Sequence, residues 1–370
     1  MRTLFRRLFL ATSVLTLTAS GLPADAGTTN PIVPHFNGRW LTFEPRPGIR
    51  VPPPVGARES ISGKWASVGV EGGNAFVFNN ALGPDGNVWY ASYGPSGLLA
   101  VTPALNATFF PVSFANSAVS WVSPGPHKDI WFHDAGTFSA GRLELSNGKI
   151  TEYPLPTTGF LFGMTLGPDG NIWSDCGQGS VICKVVASGT KIGTVTQYNL
   201  SGANSVLLAP GHDGNVWFTT GTSTAIGKIS PMGKVTLVNG PPVQLPSGIA
   251  TDATSAYFST DNYNNAGNAI CRVLYKQIAK GYSCVSIPAK LKGLGGGNIG
   301  GLALGKHGDL YFPNMGHVGS YAPATGKFTD FGQDPNSALL DSNASASGAD
   351  GNYWTFSGQS PSTVEVRAVP

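Results

Sequence analysis

Charged side chains are scarce in this 370-residue chain: Asp, Glu, Lys and Arg together make up 12% of it, about half the roughly 25% usual in soluble domains. Helices with a charged outer face are therefore not expected. A formal net charge of +3 is too small to draw the chain to nucleic acid, and no nucleic-acid-binding motif occurs, so nucleic acid is not an expected partner. Cysteine is limited to four residues, with no CxxC pair and no neighbouring histidine, which argues against a zinc site. No serine-hydrolase elbow or phosphate-cradling loop is visible; the run Gly295, Gly296, Gly297 is followed by no helical pattern. Beyond the N-terminal region, no apolar run is long enough to span a bilayer.

Glycine and proline are abundant instead, at 50 and 28 residues, and much of the glycine falls in one recurring phrase. It reads GPDGNVW at Gly83–Trp89, GPHKDIW at Gly125–Trp131, GPDGNIW at Gly167–Trp173, GHDGNVW at Gly211–Trp217, GKHGDLY at Gly305–Tyr311 and GADGNYW at Gly348–Trp354. A degraded copy, TDATSAY, lies at Thr251–Tyr257. The closing aromatics are 42, 42, 44, 40, 54 and 43 residues apart, the period of a four-stranded propeller blade. Within the phrase, Pro pre-sets a type I turn, Asp bonds back to the turn backbone and Gly accepts a positive φ. The product is a tight hairpin whose second strand carries a large aromatic into the wedge between blades. Seven copies predict an all-β, seven-bladed β-propeller with four-stranded blades.

At the N-terminus, Arg2, Arg6 and Arg7 precede the apolar run Leu8–Leu22 and the small-residue pattern Ala24-Asp25-Ala26, which predicts a signal peptide over residues 1–26. Residues 27–370 are then one propeller domain of a secreted or periplasmic protein. Residues 27–64 include the Pro-rich stretch EPRPGIRVPPPVGARES. Within this region Gly38–Pro45 echoes Gly148–Pro156, the expected outer strand of a blade. The last blade shows three strands, so Trp40–Glu44 (residues 40–44) is expected to supply its fourth and close the ring. Closure matters because an open ring leaves an unpaired sheet edge.

The cysteine spacing fits local bridges in an exported protein, Cys176–Cys183 and Cys271–Cys284. The long step between the fifth and sixth phrases holds Arg272, Lys276, Lys280, Lys290 and Lys292 with no carboxylate between Asp261 and Asp309. That basic patch is either a receiving surface for an anionic partner or a solvated outer face. A monomer is expected.

The phrases GPDGNVW, GPDGNIW and GHDGNVWFTT, with IGKIS and GKITEYPLP, resemble the blades of the virginiamycin B lyase family of seven-bladed propellers, from about Trp40 to the end of the chain. The resemblance implies an elimination that linearises a cyclic depsipeptide at its ester, with Mg2+ as electrophile and a histidine as base. It also implies a histidine shortly before the turn and metal-binding glutamates after the aromatic strand, both facing a funnel at one end of the ring. Here the positions before the turns hold Phe78, Ser120, Phe162, Val206, Ser247, Gly300 and Asn343, none a general base. Three residues after the aromatics stand Ser92, Asp134, Cys176, Thr220, Thr260, Asn314 and Ser357, with a single carboxylate among them.

His133 and Asp175 adjoin those positions. The candidate catalytic residues are therefore His133, Asp134 and Asp175, with Asp134 and Asp175 as candidate metal ligands, although strand alternation sends His133 and Asp134 to opposite faces. His127, His212 and His307 lie inside turn phrases. Asn314, His317, Thr220 and Thr260 are candidate ligand-binding residues of the funnel. The expected function is non-catalytic binding of a small molecule or a cell-surface partner, through the funnel or the basic outer loops. The alternative is a divergent metal-dependent lyase or lactone-acting hydrolase on the same scaffold.

Overall fold

The computed structural model describes residues 41–43, 49–50, 65–69, 76–157, 161, 163–176, 180–200, 205–220, 225–241, 243–263, 267–288, 290–291, 299, 301–314, 316–333, 345–356, 363–367 and 369. They form seven antiparallel sheets arranged as the blades of a propeller. Blade 1 comprises Phe76–Leu82, Val88–Gly94, Gly97–Val101 and Ala107–Pro111, and blade 2 comprises Val119–Pro124, Asp129–Asp134, Ser139–Glu144 and Ile150–Pro154. Blade 3 is Met164–Leu166, Ile172–Asp175, Val181–Val185 and Val195–Asn199; blade 4 is Ser205–Pro210, Val216–Thr220, Ala225–Ile229 and Val235–Asn239. Blade 5 is Val243–Thr251, Ser255–Tyr263, Ala269–Leu274 and Tyr282–Ser286; blade 6 is Ala303–Leu304, Leu310–Asn314, His317–Ala322 and Lys327–Gln333. Blade 7 takes Ala346–Ser347, Tyr353–Phe356 and Thr363–Arg367 from the end of the chain and Trp65–Gly69 from its beginning.

Each repeat phrase is the turn between the first and second strands, and its Asp does more than hold the turn. The carboxylate also accepts the indole N–H of the phrase's own Trp: Asp85 from Trp89 at 3.0 Å, Asp169 from Trp173 at 2.9 Å, Asp213 from Trp217 at 3.0 Å and Asp350 from Trp354 at 3.1 Å. A buried indole N–H needs such a partner. In the degraded fifth copy, Asp252 accepts the Tyr257 hydroxyl at 2.9 Å. In the second copy His127 stands where the first, third, fourth and seventh phrases have Asp, and the Trp131 Nε1 is left without a partner.

The cores lie between blades rather than within them. Seven clusters of buried side chains each join two neighbouring blades. Alternation along the second strand produces this: Trp131 belongs to the core shared with blade 3, while Phe132 faces the core shared with blade 1. Phe132 lies against Gly141 of the neighbouring strand, where any Cβ would collide with the ring. Both expected disulfides are present, Cys176–Cys183 in blade 3 and Cys271–Cys284 in blade 5.

The ring is closed by an N-terminal strand, but not by the expected one. Trp65–Gly69 pairs with Thr363–Arg367, from Trp65 opposite Arg367 to Gly69 opposite Thr363. The Arg367 guanidinium lies over the Trp65 ring at 5.6 Å. Leu41–Phe43, within the segment expected to close the ring, instead adds a fifth strand to blade 2 along Ile150–Glu152. The echo of Gly148–Pro156 at Gly38–Pro45 therefore marks the partner of that outer strand, since an edge-pairing strand needs the same alternation as the strand it meets. Ile49–Arg50 adds a fifth strand to blade 1. The expected signal peptide, Trp40 and Glu44 lie outside the described residues.

Candidate functional site

At the end of the ring opposite the repeat turns, second strands finish and the next first strands begin. His133 ends its strand fully buried, facing blade 3, and its Nε2 is 2.5 Å from the Ser174 Oγ. The Ser174 hydroxyl itself donates to the Asp175 carbonyl at 2.6 Å. Its proton is thus committed, so His133 is the Nε2–H tautomer and its Nδ1 is left unpartnered. Burial lowers the imidazole's pKa to about 3, because the charged form has no solvation there. A sealed, neutral ring of that basicity is not a general base.

Asp134 faces the opposite way, as alternation requires. One of its oxygens accepts the backbone N–H groups of Ala118, Gly136 and Thr137 at 2.7, 2.9 and 3.2 Å, and the other accepts the Ser117 hydroxyl. Those donors fix the loop after the strand and leave the carboxylate directed at N–H and O–H groups. Asp175 is fully buried on a different blade. Among the described residues no three His, Cys, Asp or Glu side chains converge as metal ligands. Asp134 and Asp175 therefore do not fit a magnesium ion, which takes an octahedral set of oxygen donors.

The acidic group that sequence reading missed is Glu152, in the outer strand of blade 2. It is 2% exposed and accepts the Thr137 hydroxyl at 3.0 Å. Desolvation, and then the neighbouring Asp134 charge, raise its pKa to about 9. Burial and the neighbouring carboxylate thus keep Glu152 a neutral acid at pH 7. No sequence signal joins two residues on the second and fourth strands of one blade, because the third strand lies between them in the register.

Hydroxyls and amides at this end mostly join blade to blade. Thr219 donates to the Ser247 carbonyl, Ser247 and Ser259 donate to the Ile299 carbonyl, and Ser345 donates to the Gly301 carbonyl. Asn79 accepts the Val122 N–H, and Asn80 donates to the Trp354 carbonyl. Thr220 and Thr260, expected in the funnel, are fully buried. The Ser, Thr and Asn content of these positions follows from the need to satisfy polar groups where seven strands crowd together.

Asn314 and His317 are brought together as an opposed pair in blade 6. His317 also has a partner the sequence did not announce: its Nδ1 lies 3.1 Å from Asp330 Oδ1, with about a quarter of the imidazole side chain exposed. A histidine held by a carboxylate through one nitrogen keeps the other for chemistry or binding.

The basic patch does not form one surface. Arg272 is engaged with Ser255 and Thr254 and stacks over Tyr257. Lys276 and Lys280 lie in the turn between the third and fourth strands of blade 5, whereas Lys290 follows the far end of the fourth, Tyr282–Ser286. That strand is about 17 Å long at ~3.4 Å per residue, beyond the ~8 Å screening length of physiological salt. Lys292 lies outside the described residues.

The first strands, and the residues leading into them, surround a cavity of about 150 Å³ on the ring axis to which all seven blades contribute. Asn79, Asn80 and Ser345 line it from blades 1 and 7; Leu207, Leu208, Ile249 and Leu302 line it from blades 4, 5 and 6. None of the described lining residues carries an ionisable side chain.

A sequence profile of the virginiamycin B lyase family matches residues 64–289, more than half of the chain. Among solved structures, a streptogramin B lyase is 22% identical with a TM-score of 0.69, covering 82% of this chain and 97% of that one. Virginiamycin B lyase from Staphylococcus aureus is 19% identical with a TM-score of 0.69, covering 83% and 99%. The extracellular domain of a hybrid two-component system from B. thetaiotaomicron is 14% identical with a TM-score of 0.59, covering 80% of this chain and 41% of that one. At these identities the structures establish the fold. A search of curated proteins finds no match.

Proposed function

The chain belongs to the virginiamycin B lyase family, and from that premise we propose that it is an exported propeller that binds a small molecule at the ring axis without transforming it. One observation carries this reading: seven blades converge on a cavity whose described lining residues carry no ionisable side chain, while His133 and Asp134 nearby are fully buried. Elimination needs a base within reach of a proton and an electrophile for the developing charge, and the residues expected for both are engaged elsewhere. Export is supported by the two disulfides, which persist in oxidising compartments, and by the likeness to an extracellular domain. The dispersed lysines favour the axis over the outer loops as the binding surface.

The test is to incubate the purified chain with a cyclic depsipeptide and Mg2+, following the substrate's mass and chromatographic retention, alongside a thermal-shift screen of small molecules. The expected result is an intact depsipeptide and a saturable rise in Tm with at least one small molecule. Magnesium-dependent linearisation overturns the reading. A second reading rests on the His317–Asp330 pair, whose geometry suits an oriented base; loss of any detected turnover in His317→Ala, with the fold intact, would establish it.

A further inference from the structure

The axial cavity has two unlike sides. Its polar residues, Asn79, Asn80, Ser123, Thr165 and Ser345, come from blades 7, 1, 2 and 3, and its side on blades 4 to 6 is apolar, formed by Leu207, Leu208, Ile249 and Leu302. On the polar side Asn80 is 4% exposed; its amide nitrogen donates to the Trp354 carbonyl, and its Oδ1 has no protein partner. A buried acceptor left unpaired costs roughly 1–3 kcal/mol, which a ligand's N–H or O–H removes. The described wall residues carry no charge, so a desolvated ion would meet no counter-charge among them.

Trp121, on the first strand of blade 2, pairs with His133 in the register and lines the cavity. Its indole packs against both the core between blades 2 and 3 and the core between blades 4 and 5. The ring therefore reaches past blade 3 and forms part of the cavity wall. A cavity of about 150 Å³ is large enough for one benzene-sized molecule.

We propose that the axial cavity binds a neutral molecule the size of one aromatic ring that presents an N–H donor on one side and an apolar face on the other, with Trp121 as a wall contact. This rests on the binding function proposed above and narrows it to a place and a ligand class. Asn80 accepts the donor, the leucines and Ile249 cover the apolar face, and the indole supplies a π surface. Selectivity comes from the absence of charge: a carboxylate or amidinium of the same shape is rejected.

Benzamide, benzoate and benzamidinium are near-isosteric probes of this. Titrated into the full chain and followed by Tm and tryptophan emission, benzamide is expected to raise Tm by a few degrees, with both ions at least tenfold weaker. Leu208→Trp, which fills the cavity, should abolish the benzamide shift. Trp121→Phe should keep the shift and remove the emission change, and Asn80→Asp should reverse the preference toward benzamidinium. Because a cavity variant can fail to fold, the three-probe comparison on the unaltered chain decides independently. No benzamide binding up to its solubility limit, or benzoate binding within threefold of it, overturns the proposal. A different small molecule that shifts Tm equally in the unaltered chain and in folded Leu208→Trp also overturns it, while leaving the broader binding reading intact. Depsipeptide turnover defeats the broader reading instead.

Discussion

His133 and Glu152 are ionisable groups held neutral by burial on the same blade, and they pull stability in opposite directions with pH. His133 is charged in the unfolded chain below about 6.5 but stays neutral in the fold down to about 3. The unfolded state binds the extra proton in that window, so stability falls as pH drops from 6.5 toward 3. Glu152 is ionised in the unfolded chain above about 4.5 but keeps its proton in the fold up to about 9. Here the folded state holds the extra proton, so stability falls as pH rises from 4.5 toward 9. Between 4.5 and 6.5 the two slopes offset each other. Urea unfolding at a series of pH values should therefore show a plateau over that interval from these two groups, with a decline on either side. Glu152→Gln should flatten the alkaline limb and His133→Phe the acid limb. An alkaline limb unchanged in Glu152→Gln would show that the carboxyl is not protonated in the fold.

At the scale of elements, the N-terminal segment and the closing strand have separable roles. Leu41–Phe43 and Ile49–Arg50 add fifth strands to edges of blades already complete, whereas Trp65–Gly69 supplies the fourth strand of blade 7. Removing residues 1–64 should cost only the edge pairings and leave one cooperative transition at a modestly lower Tm. Removing residues 1–69 should open the ring, exposing the edge at Thr363–Arg367 and uncovering Arg367, so that Tm falls much further and the chain aggregates. Equal losses in the two truncations would contradict the assignment. The need for a closing strand was legible because the last repeat lacked one. Its identity was not: the alternation of Gly38–Pro45 advertises an outer-edge strand without stating which edge it meets. Nothing in the five residues from Trp65 to Gly69 marks them as belonging beside residues some three hundred positions away.

Over the whole molecule, the repeated phrase made the blade count readable because the phrase is a local turn, and in four of the seven copies its Asp and Trp bond to each other. The site was readable only in part. His317 and Asn314 meet as neighbours across a hairpin, but Asp330, Glu152 and the partners of Thr219 and Asn80 come from other strands or blades, and spacing along the chain does not encode them. The same division between local and long-range terms governs stability. Each disulfide closes a short loop within one blade, separated by 7 and 13 residues, worth roughly 2–3 kcal/mol each on loop-entropy grounds. Cooperativity resides elsewhere, in seven cores each shared by two blades, so no blade can melt without exposing two of them. Reduction of both bridges should lower Tm by on the order of 10 °C, yet calorimetry should still record a single transition with matching calorimetric and van't Hoff enthalpies. Two resolved transitions after reduction would mean that blades 3 and 5 unfold on their own and that the bridges, rather than the shared cores, couple them to the ring.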